Sequence, residues 1–283
     1  MKYIDTHTHV NIRAFKDDAE EVIKRAHDAG VAVVNIGTQI DTSREAVAML
    51  DRFPQDVYAV VGLHPSHTYS HDYVDEDEVV SKTQEEKFDA KLYRELANNP
   101  RVVGIGECGL DYYRLPDDRD HAEIKQLQRT AFDEQIKLSL ELDKALCIHC
   151  RPSDGTLDAY MDLLEIVKEV KAQNPQLRFE VHCYTGDAVT ALKFVELGGY
   201  IGLNGIVTFD KTTRSKEVVE AVPLENIILE TDAPYLTPKS QRGKRNEPSF
   251  LPEVAEKIAE WKNVTIEEVA TQTTANAKKL FKL

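Results

Sequence analysis

Short apolar segments rich in Val and Ile recur along the chain and alternate with segments of helical periodicity. Each apolar segment is nearly continuous in hydrophobicity, which is typical of strands covered on both faces. Eight strands are predicted in this way, at residues 2–9, 31–37, 57–65, 102–111, 145–150, 178–185, 199–205 and 226–234. Eight β–α units in 283 residues favour an α/β fold, a single-domain TIM (β/α)8 barrel over 1–283, rather than a doubly wound sheet.

Helical patterns separate the predicted strands. Residues 17–30 form one helix candidate, for which Gly30 provides a stop signal. Residues 124–145 form another, and its apolar side chains fall on one stripe. Two more helical patterns, 248–263 and 266–281, follow the last predicted strand. We expect both to pack around the barrel.

The composition is typical of a globular protein with an acidic surface. The chain is 42% hydrophobic and 30% charged, and its formal net charge is −14. A large core is therefore expected, and because the acidic balance disfavours nonspecific wrapping of a polyanion, any nucleic-acid contact must be local. No apolar run approaches the roughly 18 residues of a membrane span, and residues 1–10 lack the apolar core of a signal peptide. We expect a cytoplasmic protein without membrane contact.

The four cysteines lie in apolar stretches, which predicts reduced, buried thiols rather than a disulfide framework. Cys147 and Cys150 have CxxC spacing, but residues three apart on a strand point to opposite faces and cannot hold one metal ion. Both are interpreted as packing residues.

Two polar segments depart from the alternation. Residues 65–89 are polar and acidic, and are interpreted as a solvated excursion in which His67 and His71 could act as a lid contact. Residues 237–248 follow the eighth strand and bring together four basic side chains, Lys239, Arg242, Lys244 and Arg245. This cluster would suit a phosphate clamp, although taken alone it favours a solvated loop.

Residues able to bind a metal stand at the C-terminal ends of the predicted strands, where TIM-barrel enzymes build their sites. His7 and His9 share one face of the first strand because side chains alternate faces with a period of two. Five other strand ends contribute one such residue each: His64, Glu107, His149, His182 and Asp232. A single histidine in such a place is usually a satisfied hydrogen-bonding residue, but five of the nine histidines in these positions predict a divalent-metal site.

This set is too large for one tetrahedral ion and suits two ions that share a ligand. Glu107 is the predicted bridge because its strand lies between the His7 side and the His149 side of the barrel. Asp232 is expected to bind metal and to accept the proton of the attacking water, because a carboxylate beside a cation stays ionised. The predicted catalytic residues are therefore Glu107 and Asp232.

The predicted cofactor is a pair of divalent metal ions, Mg, Mn or Zn. Imidazole ligands favour transition metals, whereas Mg prefers oxygen ligands. Our hypothesis is that Mn or Zn binds tightly while Mg supports turnover at high concentration.

Several stretches together resemble the TatD family of metal-dependent deoxyribonucleases, within the amidohydrolase superfamily, along nearly the whole chain. They are IDTHTHV (4–10), VVGLHPS (60–66), VVGIGECGLDYY (102–113), QRTAFDEQ (128–135), IHCR (148–151), VHCYTG (181–186), NIILETDAPYL (226–236) and RGKRNEPSFLPEVAEKIAE (242–260). The combination of ILETDAPYL with the downstream RNEP is highly specific.

The resemblance implies a TIM barrel with two ions bridged by Glu107, where many other superfamily members place a modified lysine. It places His7, His9 and Asp232 on one ion and His149 and His182 on the other. It also implies hydrolysis of phosphodiester bonds, typically by a 3′-to-5′ exonuclease that favours single-stranded DNA and sometimes accepts RNA. Nucleic acid is thus the expected partner, and no obligate protein partner is evident.

Substrate contacts are predicted from residues beside these ligands. Arg151 and His64 are the best phosphate-contact candidates, because a fixed guanidinium matches phosphate oxygens bidentately. Arg242 and Asn246 follow them. Glu230 has the strand parity of Asp232, so we expect it to point into the barrel and support a ligand.

Two features depart from the family pattern. Tyr184 and Thr185 stand where the family usually has Phe and Ser; Tyr184 could stack on a base, and packing is its simpler role. The acidic segment 65–89 is longer than in compact members. A negative flap near the mouth is expected to restrict which polynucleotides enter.

Two other functions fit part of the pattern. A superfamily enzyme acting on a small cyclic amide, lactone or aminoacyl ester would use much the same ligands. A small closed pocket would favour that enzyme, and an open groove rimmed by Arg151 and residues 239–245 would favour the nuclease. A noncatalytic barrel is disfavoured by the complete ligand set.

Overall fold

The computed structural model describes residues 1–70, 72–74, 80–82 and 85–283, and its central element is a barrel of eight parallel strands in chain order. The strands are β1 Tyr3–Thr8, β2 Val31–Ile36, β3 Val57–Val61, β4 Val102–Asp111, β5 Ala145–Arg151, β6 Phe179–Val181, β7 Tyr200–Leu203 and β8 Ile227–Leu229. The ring closes where the residues after β8 meet β1. The Asp232 amide donates to the His7 carbonyl and the His9 amide to the Ala233 carbonyl, each at 2.8 Å. The predicted TIM barrel is confirmed.

Helices surround this barrel. They are α1 Ala19–Asp28, α2 Ile40–Arg52, α3 Ala90–Ala97, α4 His121–Leu142, α5 Asp158–Gln173, α6 Ala188–Glu196, α7 Arg214–Ala221, α8 Leu251–Lys262 and α9 Ile266–Phe281. A short antiparallel pair, Asp72–Val74 with Val80–Lys82, lies within the acidic segment, and His71 is outside the described residues. Among the helices of the described ranges, none is long and apolar enough to cross a membrane.

Apolar side chains fill the barrel below its C-terminal mouth. Ile4, Val34, Cys147 and Ile228 belong to one buried cluster, which α9 joins through Leu280 and Phe281. The helix α9 also bonds to the start of β1, where the Thr274 hydroxyl donates to the Lys2 carbonyl at 2.9 Å. This helix therefore covers the N-terminal end of the barrel.

The two cysteines of the CIHC stretch lie on opposite sides of β5, as predicted. Cys147 packs in the inner cluster, and Cys150 packs in the outer cluster between strands and helices. All four cysteines are free thiols.

An irregularity in β1 changes the side of the strand that faces inward. The register with β2 shifts between Asp5 and Thr8. Ile4 points into the apolar cluster inside the barrel. His7 and His9 have the opposite parity, and yet they also face the interior, nearer the mouth. Because of this shift, one strand contributes both to the apolar cluster inside the barrel and to the histidines at its mouth.

Several predicted strands are longer than the hydrogen-bonded ladder. β3 ends at Val61, and His64 caps a 3-10 turn, Pro65–His67, with its Nδ1 accepting from the Ser66 amide at 3.2 Å. Cys183 and Asp232 adopt left-handed φ angles of 47° and 55° just past β6 and β8. The chain leaves the ladder at these points, beyond the ends of β3, β6 and β8.

Two buried amides on α4 fix the ends of β3 and β4. Gln135 accepts from the Leu63 amide at 2.8 Å and donates to the Leu63 carbonyl at 3.0 Å. Gln128 makes the same pair of bonds to the backbone of Asp111, at 2.9 and 2.7 Å. Each side chain replaces a missing strand partner at the edge of the mouth.

The substitution Gln135→Ala tests this role. It leaves the buried amide and carbonyl of Leu63 without partners, so we expect the free energy of unfolding to fall by about 1–3 kcal/mol. Urea denaturation measures the change. Gln126→Ala, on the exposed face of α4, is the control and should stay within about 0.5 kcal/mol of wild type. Equal stability of the two variants would contradict the role of Gln135.

Candidate metal centre

The carboxylate of Glu107 lies at the centre of the mouth and faces two groups of histidines. Its Oε2 is 3.5 Å from His7 Nε2 and 3.7 Å from His9 Nε2. Its Oε1 is 3.0 Å from His149 Nδ1 and 3.3 Å from His182 Nε2. The two carboxylate oxygens therefore point into two different halves of the cluster.

The first half contains His7, His9 and Asp232. The Nε2 atoms of the two histidines are 3.3 Å apart, and Asp232 Oδ1 is 3.4 Å from His9 Nε2 and 4.0 Å from His7 Nε2. Ligand atoms at ~2.0–2.1 Å from one tetrahedral ion lie ~3.4 Å from one another. These donors thus have the chemistry and nearly the spacing of a divalent-metal site.

The second half contains His149, His182 and also His64. His64 Nε2 is 3.5 Å from Glu107 Oε1, and the His64 and His149 rings lie 4.3 Å apart. His64 thus adjoins the other donors. Because its Nδ1 accepts from the Ser66 amide, the neutral ring carries its proton on Nε2, which is compatible with the phosphate contact predicted for it. The His182 ring stacks on the His7 ring at 3.6 Å and connects the two halves.

Neighbouring groups fix the orientation of several rings. His9 Nδ1 lies 3.1 Å from the Ile36 carbonyl oxygen, which can only accept, so the lone pair of Nε2 remains for a metal. Glu230 Oε1 is 3.2 Å from His182 Nδ1 and accepts from the Cys183 amide at 2.8 Å. Glu230 thus points into the barrel, as its strand parity predicts.

Sequence reasoning missed Asp111. Its Oδ2 lies 3.0 Å from His149 Nε2, opposite the nitrogen that faces Glu107. The signal was available, since Asp111 stands four residues after Glu107 at the end of the same strand. A carboxylate on the far side of a ligand histidine orients the ring and raises its basicity.

Burial and close charges shift the pKa values of the cluster. Burial would raise the pKa of Glu107, but the surrounding histidines, His64 and His7 first, hold it well below its usual range. Burial would lower the pKa of His149, but contacts with Asp111 and Glu107 raise it to about 9. Burial, helped by His149, lowers the pKa of His64 to about 3. Loading of a metal at His149 is therefore expected to release a proton.

A cavity of about 830 Å³ opens above this cluster at the C-terminal end of the barrel. Arg151 and Asp111 line it, together with His64 and Thr185. The Arg151 guanidinium lies 3.7 Å from the centre of the Tyr113 ring, which supports it beside the ligands. Arg151 is thus placed for an anionic substrate group.

Three other predicted substrate residues are placed differently. Tyr184 is 6% exposed, and its hydroxyl donates to the Asp187 carbonyl at 2.7 Å. Asn246 is fully buried, and its Nδ2 donates to the Thr231 and Tyr235 carbonyls. Arg242 stacks over Phe209, outside the cavity lining. We assign Tyr184 to packing and Asn246 to holding the loop after β8, because neither presents its polar group to the cavity.

The basic cluster does not line the cavity either. Arg245 pairs with Asp18, Lys244 donates to Gln241, and Lys239 lies on a 3-10 turn at the surface. His67 does line the cavity, as Ser66 does.

With a TIM barrel and this cluster of histidines and carboxylates at its mouth, the protein falls in the class of metal-dependent hydrolases. The family model for TatD-related DNases matches residues 4–282, and the chain belongs to this family.

Relatives cover nearly the whole chain. An uncharacterised metal-dependent hydrolase, YabD of Bacillus subtilis, is 37% identical over 99% of this chain and 98% of its own length. A 3′-5′ ssDNA/RNA exonuclease TatD of Pantoea vagans is 32% identical over 95% of both chains. The crystal structure of the TatD homologue YjjV from Escherichia coli K12 superposes with a TM-score of 0.81 at 27% identity, covering 100% of this chain and 98% of its own.

Metal content tests the arrangement of the cluster. We expect nearly two Mn or Zn ions per wild-type chain after dialysis, and far fewer in Glu107→Ala because Glu107 faces both halves. Elemental analysis measures this content, and His121→Ala, which removes an exposed histidine on α4, should match wild type. Unchanged metal in Glu107→Ala would contradict the bridge, and stoichiometric Mg without transition metal would contradict the expected preference.

Proposed function

We propose that the protein hydrolyses phosphodiester bonds of single-stranded DNA, and also of RNA, from the 3′ end, with two divalent ions at the candidate metal centre. The observation that carries the proposal is the position of Glu107, whose two oxygens face separate donor groups. The name of the Pantoea vagans relative supports the substrate class. Two ions in such a site would lower the pKa of a shared water and stabilise the attacking and leaving oxygens.

Asp232 is the proposed general base. Burial would raise its pKa, but the hydrogen bond with His9 and the nearby histidines lower it, so the carboxylate is ionised at neutral pH. It lines the cavity just past the end of β8. It can therefore receive a proton from a water held between it and the substrate phosphate.

Arg151 is the proposed phosphate-binding residue. It is exposed at the end of β5, lines the cavity and is held in place by the Tyr113 ring. A guanidinium fixed in this way can donate two parallel hydrogen bonds to a phosphate.

Degradation of end-labelled single-stranded DNA tests the activity. With Mn, Mg or Zn present, we expect stepwise loss from the 3′ end, and a rate about 10²–10⁴-fold lower in Asp232→Asn, because its amide cannot accept the proton. Glu107→Ala should be inactive, and Asp154→Asn, an exposed carboxylate in the loop after β5, should match wild type. A wild-type protein that binds metal but cleaves no polynucleotide would contradict the proposal and favour a hydrolase of small cyclic amides, lactones or aminoacyl esters.

A pair of arginine variants tests the phosphate contact. Loss of a charged hydrogen bond costs about 1.5–3 kcal/mol, so Arg151→Gln should raise KM for DNA by about one to two orders of magnitude. Arg242→Gln should leave KM near the wild-type value because Arg242 stacks outside the cavity. The opposite ranking would move the phosphate contact to the loop after β8.

A further inference from the structure

An exposed aromatic ring forms part of the cavity wall next to His9. Tyr235 lines the cavity and is 46% exposed, in contrast to the buried Tyr184. Its ring centre lies 6.4 Å from that of His9, with an angle of 67° between the planes. A partly exposed aromatic ring thus lies beside the first half of the candidate metal centre.

The backbone of Tyr235 is firmly held. Its amide donates to the Asp232 carbonyl at 2.9 Å, and its carbonyl accepts from the buried Asn246 side chain at 2.6 Å. The Asn246 amide in turn donates to the Pro234 carbonyl at 3.1 Å. The ring is therefore attached at a fixed position relative to Asp232, as a preorganised contact surface requires.

Apolar side chains adjoin the ring. Ile12 follows β1, Ile206 follows β7 and Leu236 follows β8, and all three line the cavity. These strands are neighbours in the barrel, so the residues form one continuous sector of the wall. Arg151 lies at the end of β5, which is opposite β1 in an eight-stranded ring. The cavity thus has an apolar sector beside His9 and Asp232, and a cationic side at Arg151.

A nucleotide has an apolar base and an anionic phosphate, which match the apolar sector and the cationic side of the cavity. We propose that Tyr235 and the adjoining apolar sector form a nucleobase subsite, in which the ring stacks on the base next to the scissile phosphate while the strand's phosphates face Arg151. The inference rests on the proposed nuclease function and extends it by naming where the base binds. Stacking tolerates any base because every base has a π face, and it requires an unpaired base. The subsite therefore provides a physical reason for a preference for single strands without sequence selectivity.

Release of the first nucleotide from a single-stranded oligonucleotide tests the subsite, with a matched substrate whose 3′-terminal nucleotide is abasic. Tyr235→Ala should raise KM for the ordinary oligonucleotide by about tenfold or more, as expected for loss of one aromatic stack. Tyr235→Phe keeps the ring and should match wild type. On the abasic substrate all three proteins should have the same KM, which a merely structural role of Tyr235 would not produce.

Three results would overturn the inference. Equal losses for Tyr235→Ala on both substrates would show that the residue acts on the metal centre rather than on the base. No loss on either substrate would show that the base binds elsewhere. Failure of the wild-type protein to cleave the ordinary oligonucleotide would overturn the nuclease function itself, and the subsite with it. Metal content and thermal unfolding, measured for each variant, should equal those of wild type.

Discussion

The burial of the Glu107 carboxylate is the constraint on which the rest of the mouth depends. A carboxylate removed from water is costly unless positive or hydrogen-bonding partners surround it. Here the partners are imidazoles from β1, from β5 and from the residues that follow β3 and β6. These side chains can converge only if the strands close into a ring of this size. Cations between the same groups would satisfy the carboxylate and the imidazole lone pairs together, so metal binding and folding share one electrostatic requirement.

One chemical device recurs around the mouth. Gln135, Gln128 and Asn246 are buried amides that each bond to backbone groups where a strand has ended. A carboxamide offers a donor and an acceptor side by side, so it can replace the ladder partner that the backbone has lost. The segments that contain His64 and Asp232, and Asp111 at the end of β4, are thereby held by hydrogen bonds from buried side chains. These hydrogen bonds, rather than the backbone of the loops alone, fix the positions of the candidate ligand atoms.

Much of the fold and most of the candidate ligands could be predicted from the sequence, because both follow from regular repeats. Near-continuous apolar runs mark strands covered on both faces, and the ends of parallel strands meet at one mouth. The predictions were less accurate where the chain leaves the ladder, since periodicity does not give the direction of a side chain in a loop. For this reason the orientation of Tyr184 and Asn246 became visible only in three dimensions. The contact of Asp111 with His149 was missed for another reason, since Asp111 lies on β4 with the parity of Glu107 and that signal was not used.

The closure of the ring between its first and last strands has a consequence for how the protein matures. The bond between the Thr231 amide and Asp5 Oδ1 joins positions separated by 226 residues. On a ribosome, the segment carrying His7 and His9 emerges long before the segment carrying Asp232, and such distant pairings form slowly. For most of its synthesis, a nascent chain therefore contains only part of the candidate metal centre. Until the residues after β8 have been synthesised, the chain lacks Asp232, the residue that we propose as the general base.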